Sequence, residues 1–572
     1  MKATRRTRLG LTFPLFCITA TTAVGQQVVP GQVVFQARAG AAANVAAALE
    51  GLDLPTATVA PFAAARRVDA AGVARIHRLT VPIGEEAKAA ALLAQAPFVE
   101  WAEPLRREGG ATGRVVPDDV AWANQWCLDA TNDIDMDVPE AWELRGTTKV
   151  DTDLVIAVTD TGWDFTLAHA DLVDVVWTNA GELPGNGIDD DGNGFVDDAF
   201  GYDFADDDGD TQSGFEHGTW VGSVIVAHTG NAEGIAGVAD GARVLVSKIL
   251  DDNGGFPTSG PFAGHLSAAA GIVYAVDNGA HVINCSWTNG QTPSMVINTA
   301  IDYAIDNGVH VVVAAGNIGT DRNWPGEHPD VIAVTGIAPS GHKSLWCSFI
   351  GCQSACYGPW VDLSAGGTSV PALGPGIIYP WTSVSFNGTS AAAPQVAGVA
   401  AMVLSEDRDL STEDLRELLM ASAVSVAAIN PQYDGWMGAG HVNAHAALQL
   451  LAPFTDLGQG LAGATSPVLN AWGGVDAGNQ LTFSTSRATP NAPGVLVLGG
   501  SPLQLPVFGG VLVPSPDLVF GIVTDADGAR RVGATLPVDL VAGANLWAQT
   551  VVLDLGAPQS FALSNAVRVT GS

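Results

Sequence analysis

Leu154-Val155-Ile156-Ala157-Val158-Thr159-Asp160-Thr161-Gly162 is the stretch on which the fold of this chain turns. Residues 154–159 form a short, unbroken apolar and β-branched run with no polar alternation. A strand of that kind is covered on both faces, as in a parallel sheet. The same signal recurs at 244–250, 282–287, 309–315 and 331–336. Between these runs, 263–276 and 295–305 have helical spacing, and each is followed by Asn-Gly as a stop. Strands alternating with helices predict an α/β domain with a parallel sheet over residues 116–452. Ligands in such sheets bind at the carboxyl ends of the strands, where Asp160 stands.

Two further motifs carry chemistry. His217 opens a predicted helix in His217-Gly218-Thr219-Trp220-Val221-Gly222, and Ser390 opens another in Asn387-Gly388-Thr389-Ser390-Ala391-Ala392-Ala393-Pro394. A serine hydroxyl is a poor nucleophile until a base takes its proton. Histidine can be that base near neutral pH and can return the proton to a leaving amine. An aspartate holds the imidazole in the right tautomer and stabilises its cation. Gly388 permits a tight turn, and the amides that follow it favour a developing negative charge. Pro394 is expected in the first helical turn, where its missing N–H costs little. A fourth element, Ala314-Ala315-Gly316-Asn317, follows an apolar strand, and the Asn317 amide is placed to donate to an oxyanion.

Asp160-Thr161-Gly162, His217-Gly218-Thr219, Gly316-Asn317 and Gly388-Thr389-Ser390, in that order, resemble the motifs of the subtilisin-like serine peptidases. His169-Ala170-Asp171-Leu172 and Gly440-His441-Val442-Asn443-Ala444 resemble two further motifs of that family. The resemblance covers about residues 116–450. It implies a serine endopeptidase acting on protein or peptide substrates through an acyl-enzyme, with Asp160, His217 and Ser390 as triad. It also implies substrate binding along Ser286, Trp287, Thr288, Ala315 and Gly316. The chain departs from the pattern at Glu216, at Trp220 and at Ser286-Trp287-Thr288, which puts substrate preference in question. Trp287 is expected to reshape the substrate wall, and the Glu216 charge to raise the His217 pKa.

Asp189-Asp190-Asp191-Gly192-Asn193-Gly194 matches the start of an oxygen-rich calcium loop, with Asp197 and Asp198 following. Asp189, Asp191, Asn193 and Asp197 are the expected ligands of a structural calcium ion. Position twelve is Phe200 rather than glutamate, so the loop is not a complete EF-hand. The acidic stretch 203–210 is a weaker candidate.

The chain has 572 residues and a formal net charge of −34, which disfavours nucleic acid as a partner. Up to Arg114 it carries 13 Lys+Arg and 8 Asp+Glu; from Val115 onward it carries 12 and 51. Lys2, Arg5, Arg6 and Arg8 precede a short apolar stretch and small residues near Gly25, the pattern of a secretory signal over residues 1–25. No stretch is long and apolar enough to predict a transmembrane helix. Residues 26–115 read as a small α+β unit. Strands are expected at 33–35, 75–81 and 98–103, and helices at 41–50 and 84–96. The unit is similar to the family's inhibitory propeptide, which implies a secreted zymogen processed between Arg106 and Pro117. Residues 453–572 read as a C-terminal all-β domain with strands at 495–498, 511–513, 546–553 and 566–569. Cys347, Cys352 and Cys356 are crowded enough for one bridge, with its pairing left open. The competing functional reading is a non-catalytic secreted surface or binding protein built on a peptidase scaffold. A peptide ligase or narrow maturation protease would share the triad.

Overall fold

A computed structural model of the chain describes residues 115–571 apart from 133, 168, 349–350, 375–383, 476–478 and 536–543. Before residue 115 it describes four strands together with Leu93 and Ala96. The chain divides into two units, Met1–Arg114 and Val115–Ser572.

In the first unit β1 (Gln27–Ala37), β2 (Thr58–Pro61), β3 (Ile76–Thr80) and β4 (Val99–Arg107) form an antiparallel sheet in the order β2-β3-β1-β4. The strands expected at 33–35, 75–81 and 98–103 fall on β1, β3 and β4. The expected helices at 41–50 and 84–96 lie outside the described residues, except that Leu93 and Ala96 are described and buried. The signal-like stretch also lies outside them.

The second unit is built on a seven-stranded sheet. Its members are β5 (Val155–Asp160), β6 (Gly201–Asp203), β7 (Arg243–Lys248), β8 (Val282–Cys285), β9 (His310–Ala314) and β10 (Ile332–Ile337). After the hairpin β11 (Leu345–Ser348) and β12 (Gly351–Ser354), β13 (Leu363–Gly366) completes it. The order is β13-β10-β9-β8-β5-β7-β6 and every pairing is parallel. Alternate residues of the opening stretch serve opposite faces. Leu154, Ile156 and Val158 enter one apolar core, and Val155 and Ala157 the other. That double burial is why the run shows no polar alternation.

Helices cover both faces: α1 (Val138–Arg145), α2 (His217–Val226), α3 (His265–Asp277), α4 (Met295–Asp306), α5 (Thr389–Leu404), α6 (Thr412–Ser422) and α7 (Ala444–Leu451). α3 and α4 pack on the Val155 side, and the other five on the Ile156 side. α3 and α4 end at Asn278-Gly279 and Asn307-Gly308, whose glycines take φ of +77° and +76°. All sixteen residues of α5 are buried, so it runs through the core rather than over it. Among the described residues, no helix is long and apolar enough to cross a membrane.

The chain then becomes all-β, after a small hairpin of β14 (Val370–Ala372) and β15 (Val384–Phe386). Its strands are β16 (Phe454–Asp456), β17 (Val468–Gly473), β18 (Gln480–Ser486), β19 (Pro493–Gly499) and β20 (Pro502–Val507). They are followed by β21 (Gly510–Pro514), β22 (Leu518–Val523), β23 (Arg530–Thr535), β24 (Asn545–Leu553) and β25 (Phe561–Thr570). They make antiparallel sheets in the orders β16-β25-β24-β19-β22, β17-β18-β23 and β20-β21. Arg531 on β23 bonds Asp414 at 2.9 Å and Glu417 at 2.6 Å on α6, which fastens this module to the parallel-sheet domain. The cysteine bridge joins Cys347 to Cys352, directly opposed across the β11–β12 hairpin, while Cys356 is buried and free.

Candidate active site

Asp160 ends β5 and is fully buried. Its Oδ1 accepts from the Thr161 amide at 2.8 Å and lies 2.8 Å from His217 Nδ1. His217 is the first residue of α2. The next residue must be glycine, because a Cβ on Gly218 would lie 2.3 Å from the Gly162 carbonyl. That close approach brings the start of α2 onto the end of β5. Burial works to lower the His217 pKa, but the charge of Asp160 and its hydrogen bond outweigh it and hold the imidazole above its ordinary value. The groups that raise it are those of Asp160, not the Glu216 anticipated from the sequence.

Ser390 is the second residue of α5, which packs against α2. Phe386, just ahead of α5, meets the His217 ring edge to face at 5.4 Å. The Ser390 hydroxyl donates to the Ser286 carbonyl at 2.9 Å, and the Ser286 hydroxyl donates back to the Ser390 carbonyl at 3.1 Å. Pro394 explains the second bond and corrects an expectation. α5 begins at Thr389, so Pro394 stands in the second turn rather than the first. Lacking an N–H, it cannot serve the Ser390 carbonyl, and Ser286 takes that place.

Asn317 follows β9. Its Oδ1 accepts from the Thr389 amide at 2.9 Å and from the Thr389 hydroxyl at 3.0 Å. With Oδ1 engaged twice, Nδ2 is the end left to donate, and it lies on the Gly388 side, where a Cβ would meet it at 3.1 Å. Gly388 itself takes a φ of +124°. The oxyanion residue expected from sequence therefore stands beside the start of α5, its amide oriented by Thr389.

The expected substrate-binding residues divide. Ala315 and Gly316 continue from β9, and the Gly316 amide donates to the Thr389 hydroxyl at 2.9 Å. The Thr288 methyl lies close to Gly316, 3.3 Å from where a Cβ would be. Ser286 is buried and spends its side chain on Ser390. Trp287 does not reshape the substrate wall. Its ring is buried in the core on the Val155 side of the sheet, its Nε1 donates to Thr159 Oγ1 at 3.0 Å, and Phe256 packs on it edge to face. The strand period sends it to the opposite side from its neighbours, a consequence of pleating that the motif alone does not display.

The acidic loop is rearranged relative to expectation. Carboxylate oxygens of Glu182, Asp189 and Asp191 lie within 4.8 Å of one another. Glu182 is 6% exposed, its Oε1 accepts from the amides of Asp190 and Asp191, and its buried Oε2 has no partner among the described residues. Asn193 spends its Oδ1 on the Phe195 amide, and Asp197 spends both oxygens on the amides of Asn186 and Gly187, each at 2.9 Å. In the stretch 203–210, Asp203 is neutralised by Lys248 at 2.7 Å. Glu182 escaped sequence reading because it lies seven residues before the Asp-rich motif, with no spacing rule to connect it.

Residues 151–440, half of the chain, match the family model described as the subtilase family. The chain is 32% identical over 312 residues to thermitase of Thermoactinomyces vulgaris, covering 54% of this chain and 92% of thermitase. It is 33% identical over 238 residues to subtilisin Savinase of Lederbergia lenta, covering 41% and 79%. An extracellular protease of Xanthomonas campestris pv. campestris is 32% identical over 360 residues, with 58% of this chain and 57% of that protein covered. Against that longer relative, the match spans little more than half its length.

Proposed function

The chain belongs to the subtilase family and is a serine endopeptidase, and from that premise we propose that Asp160, His217 and Ser390 perform its chemistry. The observation that carries this reading is the 2.8 Å bond between Asp160 and His217, the first residue of α2, which packs against α5, the helix that carries Ser390 as its second residue. Ser390 Oγ attacks the scissile carbonyl while His217 Nε2 takes its proton. Asp160 fixes Nδ1 as the protonated nitrogen and stabilises the imidazolium. The oxyanion forms beside Asn317 Nδ2, and His217 returns the proton to the leaving amine. Water then repeats the sequence on the acyl-enzyme. Ala315, Gly316 and Thr288 line the substrate path.

The same reading makes the protein a secreted zymogen. Residues 1–25 serve as signal, 26–115 as inhibitory pro-segment, 116–452 as peptidase and 453–572 as an accessory β domain. Support comes from the basic-then-apolar start of the chain and from the extracellular Xanthomonas relative. A structural calcium ion fits Glu182, Asp189 and Asp191, because three hard oxygen donors converge there and Glu182 Oε2 is buried without a partner among the described residues. The ion would tie the acidic loop to the body of the domain and take no part in the chemistry.

The test is labelling of the processed, secreted protein with a fluorophosphonate. An adduct on Ser390, absent in Ser390→Ala together with casein hydrolysis, is the expected result. Processed protein that neither labels nor cleaves would favour the binding-protein reading.

A further inference from the structure

Lys343 stands apart in a protein that carries 59 Asp+Glu against 25 Lys+Arg. It is half-buried, and among the described residues no carboxylate pairs with it. Two rings and two oxygens take that place. Its ammonium lies 5.1 Å from the centre of the Tyr357 ring and 5.0 Å from that of Tyr433. It donates to Ser354 Oγ, and to the Ala355 carbonyl at 2.8 Å. The Lys343 amide donates to Asn430 Oδ1 at 2.9 Å, which fixes the root of the side chain. Drawing an ammonium out of water with no counter-charge opposes folding. What this one fastens lies beside the nucleophile.

Lys343 comes two residues before β11, and Ser354 ends β12, so their bond closes the open end of that hairpin. Cys347–Cys352 closes the other end. From β12 the chain runs on beside the segment that leaves β9. The Ser354 amide donates to the Asn317 carbonyl at 3.2 Å, and the Cys356 amide to the Gly316 carbonyl at 2.8 Å. Ile318 and Ser354 form a parallel bridge. Thr389 holds the same segment from the other side: its hydroxyl accepts from the Gly316 amide and donates to Asn317 Oδ1. Residues 316–317 are therefore clamped between the helix that carries Ser390 and the strand that Lys343 anchors. Thr389 orients the Asn317 amide, and the opposite jaw limits how far the Asn317 backbone can drift from Ser390.

We infer that Lys343 is a positioning residue for the oxyanion: acting through Ser354, it holds Asn317 where its Nδ2 meets the charge that develops on the substrate carbonyl. This rests on the peptidase reading above and on Asn317 as the oxyanion donor. Losing an oxyanion donor lowers kcat by about 10²–10³, and displacing one by a fraction of an ångström forfeits part of that, about tenfold.

The experiment uses the processed full-length enzyme. Lys343→Met keeps a long side chain between the two rings and removes its hydrogen bonds. Ser354→Ala keeps the backbone bond to Asn317 and removes its anchor. Each is made alone and together with Asn317→Ala. Turnover and inhibition by a peptide aldehyde, whose adduct with serine carries the oxyanion, are measured well below the Tm of each protein. Both variants should lower kcat by about tenfold with KM little changed, and weaken the aldehyde by the same factor. With Asn317→Ala already present, neither should lower kcat further. Should Lys343→Met fail to fold, Ser354→Ala carries the same prediction. Variants that lose Tm but keep wild-type kcat and aldehyde affinity, or whose losses multiply with that of Asn317→Ala, overturn this inference alone. Fluorophosphonate labelling of the wild type and the kcat of Asn317→Ala report on the assignments beneath it. A wild type that does not label, or an Asn317→Ala enzyme at full kcat, contradicts those assignments and this inference with them.

Discussion

Ser286 and Ser390 hold each other by reciprocal hydrogen bonds, each hydroxyl donating to the other's backbone carbonyl, at 2.9 Å from Ser390 and 3.1 Å from Ser286. One bond engages the Ser390 hydroxyl, which must leave the Ser286 carbonyl before a base can take its proton. The other satisfies a carbonyl that Pro394 leaves open. Ser286→Ala keeps the first bond but removes the second and also takes the acceptor from Asn284 Nδ2, at 2.9 Å, and each buried group left unsatisfied costs about 1–3 kcal/mol. The expected outcome is a lower Tm and a lower kcat with KM little changed. Restoring the N–H in Pro394→Ala should recover part of the stability lost in Ser286→Ala.

His217 must be neutral to act as base, and its pKa stands above the ordinary 6.5 because Asp160 outweighs burial. Activity should therefore fall as pH drops, with the acid limb of kcat/KM above 6.5. Asp160→Asn removes the raising charge, moves that limb to lower pH and reduces kcat by about 10⁴ through the wrong tautomer. A pH–rate profile of both proteins checks the sign. An acid limb that does not move in the variant would detach Asp160 from the imidazole.

Glu182, Asp189 and Asp191 converge, so chelation has a defined cost. Removing calcium with EGTA should lower the Tm of the processed enzyme by roughly 5 °C, the effect of an ion held at about a hundred times its Kd. Glu182→Gln should lose most of that response and Asp197→Asn should keep it, because the carboxylates that converge are those of Glu182, Asp189 and Asp191. An Asp197→Asn variant that loses the response while Glu182→Gln retains it would reverse the ligand assignment.

Asp407 sits half-buried after α5, and burial followed by the charges of Asp409, Asp456 and Asp414 pushes its carboxyl up to about 6, against 3.8 ordinarily. The folded state thus binds its proton more tightly than the unfolded chain, so its contribution to stability is present at acid pH and is lost as pH rises from about 4 to about 6. Asp407→Asn should remove that loss. Thermal melts of the two proteins should separate in the variant's favour across that interval, and parallel melts would contradict the shift.

Much of this was legible because periodicity and motif agree wherever both faces of the sheet are buried. The run at 154–159 became β5, displaced by one residue, and each predicted helix stop became an Asn-Gly turn with its glycine at positive φ. What stayed hidden depends on direction rather than residue type. Trp287 lies within a substrate-binding motif yet points into the core, because a strand alternates its sides. Pro394 was misplaced by one turn because the helix starts at Thr389, ahead of Ser390. Glu182 and Lys343 belong to no motif; they matter because folding carries one to an acidic loop and the other to the strand that holds Asn317.

The central claim is that Asp160, His217 and Ser390 work as one unit, and non-additivity measures that most directly. Single-turnover rates would be compared for Ser390→Ala, for His217→Ala and for the double variant. Each single change is predicted to lower the rate by about 10⁶, with the double variant no slower than either. Losses that multiply, or a His217→Ala enzyme that keeps near-normal turnover, would contradict it.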